Sequence, residues 1–113
     1  MTVKPAKFKI LITKDAQADL EQIHDFLISH QGLRYANDTL DELSQSIKTL
    51  TTFPDRGSHP RELLALGMVE FRQLIHQRFR IIYRVIDRQV VIQLIADGRQ
   101  DMQSLLTRRV LAL

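Results

Sequence analysis

The segment from Glu70 to Asp101, EFRQLIHQRFRIIYRVIDRQVVIQLIADGRQD, constrains the fold more than any other part of the chain. It holds three short apolar runs rich in Ile and Val, predicted as strands at about 69–76, 79–86 and 90–96, with tight polar turns near Gln77 and Arg88. Links that short join strands only as an antiparallel meander, because parallel neighbours need a long crossover. Side chains alternate between the two faces of a strand. On the middle run, one face is wholly apolar (Phe79, Ile81, Tyr83, Val85), while the other mixes Arg80 and Arg84 with Ile82 and Ile86. The apolar face is expected under a layer of helices.

Arginines set between isoleucines point to a surface that binds an anionic partner. The stretch carries six of the eleven arginines of the chain. Residues 1–54 are close to neutral, whereas residues 55–113 hold ten Arg, no Lys and six acids. Arginine favours planar, bidentate contacts with carboxylate or phosphate. On the earlier strand, Arg72, Leu74 and His76 share one side, and this side is assigned to the ligand face together with Arg80 and Arg84. A Leu74–Ile82–Ile86 strip among arginines then reads as a protein-docking surface.

The N-terminal half reads as one strand and two helices. Lys7–Ile12 (KFKILI) alternates and then turns apolar. Thr13 offers a capping hydroxyl to the helix that follows, in which Ala16, Leu20, Ile23 and Leu27 form one stripe that Gly32 ends. A second helix is predicted over Leu33–Thr52, with Ala36, Leu40, Leu43, Ile47 and Leu50 as its stripe and Pro54 beyond it. Two helices with so short a link form an antiparallel hairpin. FPDRGSHPRELLALGM, with two Pro and two Gly, is too broken for a regular element. Asp101 caps a closing helix whose apolar contacts are Met102, Leu105 and Leu106. The order β-α-α-β-β-β-α gives an α+β domain over residues 1–113, with the helical hairpin on one face of an antiparallel four-stranded sheet.

Composition excludes several classes. The chain of 113 residues has no Cys, so neither disulfides nor thiolate chemistry is available, which fits a cytoplasmic protein. No run approaches the ~18 apolar residues of a membrane span, and MTVKPAKFKI lacks the apolar core and cleavage site of a signal peptide. His24 and His30 are six apart, with His59 and His76 in other elements, so no metal-ligand pair is expected. Gly57, Gly67 and Gly98 are isolated, and no phosphate loop exists. No cofactor is implied. The Arg108-Arg109 pair could bind an acid, and cations also suit the last turn of a helix.

With this element order, the helix KDAQADLEQIHDFL, the segment FPDRGSHPREL, and FRQLIHQRFRIIYRV followed by VVIQLIADGRQDMQSLL, the chain resembles the RelE/ParE superfamily of bacterial toxins of type II toxin–antitoxin systems. The most specific piece is the aromatic-Arg-x-x-Tyr core, Phe79-Arg80-Ile81-Ile82-Tyr83. The resemblance implies a cognate antitoxin whose C-terminal segment wraps the toxin, with a homodimer or a heterotetramer as the assembly. It also implies one of two activities. ParE-like members poison DNA gyrase, and RelE-like members cut mRNA on the ribosome.

Cutting RNA through its 2′-hydroxyl requires a base, an acid and cations at the phosphorane. By the resemblance, Arg72 and Arg80 match basic positions on two strands, and Arg99 or Gln100 matches one past the last strand. Leu74 stands where such nucleases often place a second basic residue, and no Tyr or His follows Tyr83. Arginine stays protonated and is a poor base. His76, Glu70 and Asp97 are the remaining acid–base candidates, and each has an ordinary structural role open to it. The nuclease set is therefore Arg72, His76, Arg80 and Arg99, and it is incomplete. The set for target or antitoxin contact is Arg72, Leu74, Arg80, Ile82, Arg84 and Arg99. Gyrase inhibition is the favoured expectation, with mRNA cleavage second and a non-toxic basic binding module third.

Overall fold

A computed structural model describes residues 7–111. The elements run β1 (Lys9–Ile12), α1 (Lys14–Gln31), α2 (Leu33–Lys48), α3 (Arg61–Leu64), β2 (Phe71–His76), β3 (Phe79–Ile86), β4 (Gln89–Asp97) and α4 (Met102–Leu106). A 3-10 turn, Thr49–Thr51, extends α2, and a π-helical turn, Thr107–Leu111, extends α4. The helices begin and end as their sequences dictate. Thr13 accepts the Ala16 N–H through its hydroxyl, and the Asp101 carboxylate accepts both the backbone N–H and the hydroxyl of Ser104. Gly32, at φ +93°, donates to the Leu27 and Ile28 carbonyls and starts α2 one residue later. Only glycine reaches that backbone conformation without strain.

The strands form one sheet in the order β1-β4-β3-β2. β2, β3 and β4 make the expected antiparallel meander, but β1 pairs with β4 in parallel. The sheet is mixed, which corrects the wholly antiparallel expectation. Short turns dictate direction only within the meander; β1 is joined to it through the helices, and a connection of that length permits parallel pairing. β4 thereby becomes a central strand, with Val90, Val91, Ile92, Leu94, Ile95 and Ala96 all buried. This explains its nearly continuous apolar run, since a strand covered on both faces has no polar row.

Two cores flank the sheet. Under the α1–α2 hairpin lie Leu27, Leu43, Leu50, Leu74, Phe79, Ile81, Tyr83, Ile92 and Ile95. On the opposite face Leu63 of α3 and Met102 and Leu106 of α4 pack on Phe71, Ile82, Leu94 and Ala96. Each fully buried Leu, Ile or Phe contributes about 1.5–3 kcal/mol, so the second face is a genuine core. The turn α3 lies where a structureless segment was expected. Pro60 presets its first turn and Leu63, fully buried, holds it.

Register fixes which side chains share a face. The two-residue turn Gln77–Arg78 sets His76 opposite Phe79, Leu74 opposite Ile81 and Arg72 opposite Tyr83. Directly paired residues lie on the same face. Arg72, Leu74 and His76 therefore stand on the hairpin side, and Phe71, Gln73 and Ile75 stand beside Arg84, Ile82 and Arg80. The single ligand face proposed from the sequence does not exist as drawn. Leu74 is buried in the first core, Ile82 in the second, and of the expected strip only Ile86 is exposed.

Candidate functional site

The polar site residues expected from the sequence are each held by a local hydrogen-bond partner except Arg84, whose Nε is buried without one. Arg72 donates from one terminal nitrogen to the Asp55 and Gly57 carbonyls at 3.2 and 2.9 Å, so it braces the loop before α3. Tyr83, fully buried, braces the same loop. Its hydroxyl donates to the Pro54 carbonyl at 2.7 Å and accepts the Gly57 N–H at 3.1 Å, and burial raises its pKa. The loop must come that close. A Cβ at Gly57 would sit 2.6 Å from both the Gln73 carbonyl and the Tyr83 hydroxyl. His76 reaches α2, where its Nε2 meets the Glu42 carboxylate at 2.9 Å.

Arg80 belongs to the second core. Its Nε donates to the Gln73 side chain at 2.7 Å, and its two terminal nitrogens bond both oxygens of Glu62 at 2.8 Å. The hydrogen bonds from Arg80 hold the Glu62 carboxyl down from 4.5 to about 2. The guanidinium is consumed by α3. Arg84 lies over Phe71, its guanidinium carbon 5.6 Å from the ring centroid. Of the six predicted contact residues Arg99 alone is strongly exposed, with 69% of its side chain open to solvent. It forks onto Asp97, whose carboxylate also lies 3.0 Å from Arg78 Nε. Hydrogen bonds from Arg99 keep Asp97 ionised well below the usual range.

The nuclease candidates do not converge. Arg72 and His76 serve the hairpin side, Arg80 faces α3, and Arg99 sits past β4. Among the described residues no cluster of His, Asp or Glu could hold a metal ion, and no helix is long and apolar enough to cross a membrane.

The structure gathers a different set of residues. Beside the end of β4, a groove of about 960 Å³ runs between α1 and the C-terminal segment. Arg78, Arg99, Arg108 and Arg109 line it with Asp15, Asp19 and Asp97, and Ile23, Phe26 and Leu105 supply apolar wall. Sequence reasoning missed Asp19, Glu62 and Arg78. Asp19 had a readable sign, because it lies three residues past Ala16 and flanks the apolar stripe of α1. A carboxylate there needs a partner.

With this geometry in view, the chain compares with known proteins as follows. A family model described as the ParE toxin of the type II toxin–antitoxin system parDE matches residues 10–102. Among solved structures, a chromosomal ParDE toxin–antitoxin system from P. aeruginosa superposes with a TM-score of 0.69 at 20% identity, covering 82% of this chain and 98% of that one. The toxin–antitoxin complex RelBE2 from Mycobacterium tuberculosis superposes with a TM-score of 0.56 at 18% identity, covering 83% and 94%. No curated protein matches the chain. At these identities the two structures establish the shared fold.

Proposed function

The chain belongs to the ParE toxin family of type II toxin–antitoxin systems, and we propose that it acts as an inhibitor of DNA gyrase neutralised by a cognate antitoxin. The observation that carries this over mRNA cleavage is the dispersal of the acid–base candidates. An RNA-cutting centre needs a base and an acid within hydrogen-bond reach of one phosphate, flanked by cations. Here both imidazoles beside the strands are engaged, His76 with Glu42 and His59 with the Phe71 carbonyl, and Arg80 on the opposite face from His76 is neutralised by Glu62. No Tyr or His follows Tyr83 in the sequence to supply the group that such nucleases place near the C-terminus. The similarity to two toxin–antitoxin structures supports an antitoxin as partner. Arg99, exposed beside the groove, is the residue best placed to meet the antitoxin or the target.

Supercoiling by purified gyrase and cutting of ribosome-bound mRNA, assayed separately with the purified chain, test this. Gyrase should be inhibited or trapped on cleaved DNA while mRNA stays intact, and His76→Ala should change neither result. Site-specific mRNA cuts that disappear in the His76→Ala variant would overturn the gyrase assignment.

A further inference from the structure

At one end of the molecule the start of β1, the turn between β3 and β4, and the loop after α2 come together. Phe8 donates its N–H to the Thr51 carbonyl and Lys9 donates to the Arg88 carbonyl, both at 2.9 Å. The turn sets the guanidinium carbon of Arg88 4.6 Å from the centre of the Phe8 ring. Past Thr51 the chain bends sharply: the Phe53 N–H meets the Thr49 carbonyl at 3.0 Å, and the Arg56 N–H meets the Phe53 carbonyl at 3.2 Å. The Arg56 guanidinium reaches back to the Thr49 hydroxyl at 2.6 Å. Phe53 itself is 64% exposed. Slack in the loop does not explain this, because Tyr83, Arg72 and the Gln73 backbone brace residues 54–58. A fixed loop holds this ring in water, beside a pocket of about 430 Å³ completed by Thr52, Pro54, Asp55 and Arg56.

We propose that this end of the molecule binds single-stranded nucleic acid, with a base stacked on Phe53 and the neighbouring phosphates met by Arg56, Arg88, Lys7 and Lys9. Among the described residues none of these four cations makes an ion pair. The nearby carboxylates are fewer. Asp55 lies 3.9 Å from Arg72 Nε, and Asp87 sits in the turn itself; Glu70 precedes β2, at the far edge of the sheet. The patch is therefore net positive, and an arginine already lies over one of its two rings. Open ring faces among free cations suit a flexible strand, because every base has a face that stacks and every phosphate met by Lys or Arg releases a counterion. Two other occupants fit less well. An extended protein segment would look for backbone partners, and here the N–H groups of Phe8 and Lys9 are already taken. A second copy of the chain would set like charge against like charge.

The test uses the full chain and a fluorescently labelled oligothymidylate of about twelve nucleotides, within the span that a small single-strand-binding surface covers. A duplex of the same length and polyglutamate serve as competitors. Anisotropy should rise on binding, and affinity should fall about 20- to 50-fold between about 50 and 200 mM salt, as three or four phosphate contacts require. Phe53→Ala should weaken binding about tenfold, the effect of one lost stack, at an unchanged melting midpoint, and Phe53→Trp should retain it. Arg88→Gln should reduce the slope of log affinity against log salt by about 0.7. Arg34→Gln, at an exposed arginine at the opposite end of α2, should change neither affinity nor slope. If Phe53→Ala lowers the midpoint, the double change Arg56→Gln with Arg88→Gln reads the same surface. No binding of the oligothymidylate, full affinity in Phe53→Ala, or an equal loss in Arg34→Gln would each overturn the proposal. So would tighter binding of the duplex, or stronger competition by polyglutamate than by unlabelled oligothymidylate at equal charge. None of these outcomes depends on whether gyrase or the ribosome is the target.

Discussion

Replacing Arg80 should unfold the protein before it disarms it. The Arg80 and Glu62 side chains are 13% and 14% exposed and meet through two parallel 2.8 Å bonds. A fall in the Glu62 pKa from 4.5 to about 2 corresponds to ~3 kcal/mol of linkage if all of it is felt in folding. Solvent at the rim of α3 screens part of that, so about 1–3 kcal/mol is expected. Arg80→Ala also leaves a carboxylate with little water and no cation, and should cost about 2–4 kcal/mol, a large share of a small domain's stability. Because the folded pKa lies below the unfolded one, this stabilisation is complete above about 4.5 and is lost as pH falls toward 2. Urea melts of wild type, Arg80→Ala, Glu62→Gln and the double variant, run from pH 6 down to 2.5, read both quantities. The double variant should cost less than the two single changes added together. The wild type should lose stability with acid more steeply than Arg80→Ala. An Arg80→Ala midpoint equal to wild type at pH 6, or parallel acid profiles, would refute the assignment of Arg80 to the scaffold.

Tyr83→Phe should cost about 1–3 kcal/mol in a thermal or urea melt, because it strands the buried Gly57 N–H and leaves the Pro54 carbonyl without its donor. Tyr83→Ala should cost about 3–5 kcal/mol; an unchanged midpoint would place the ring outside the core. Gly32→Ala meets no atom within 4 Å, so its cost should be backbone strain alone, about 1–3 kcal/mol, and Gly32→Asn should cost about as much, because ψ 164° lies outside the left-handed helical region that asparagine tolerates. Arg99→Ala should lower toxicity in a growth assay with no change in melting midpoint, since its guanidinium is exposed and its partner Asp97 keeps Arg78.

The elements of the fold were legible because local physics determines them. Thr13, Gly32 and Asp101 are caps that work by short-range hydrogen bonds, and the stripe of α1 and the alternation of β3 need no distant partner to be recognised. The direction of β1 was not legible. Nothing in KFKILI says which strand it joins, and the helices between β1 and the meander allow either direction. The turn α3 was hidden for a related reason: four residues cannot nucleate a helix alone, and only the burial of Leu63 against the sheet holds them. The face of Arg72, by contrast, could have been read correctly. Counting outward from a two-residue turn at Gln77–Arg78 pairs Arg72 with Tyr83, whose own face was already assigned to the hairpin.

The candidate site failed in the sequence at a deeper level. Arginine between isoleucines was taken as the mark of a wet binding face, which holds only when nothing packs on that face. The decisive residues lie far away in sequence: Glu62 on a turn expected to be structureless, and Met102 and Leu106 on a closing helix that the sequence assigned to neither face of the sheet. Once α3 and α4 cover the second face, Arg80 needs an internal carboxylate, because a buried cation without one would be too costly to keep. Part of the charge that remains usable is displaced to the rim of the sheet, where Arg78, Arg99 and Arg108 collect beside the end of β4. Arginine count therefore located a basic half of the molecule, while strand register and the second core decide which arginines are structure and which are free to meet a partner.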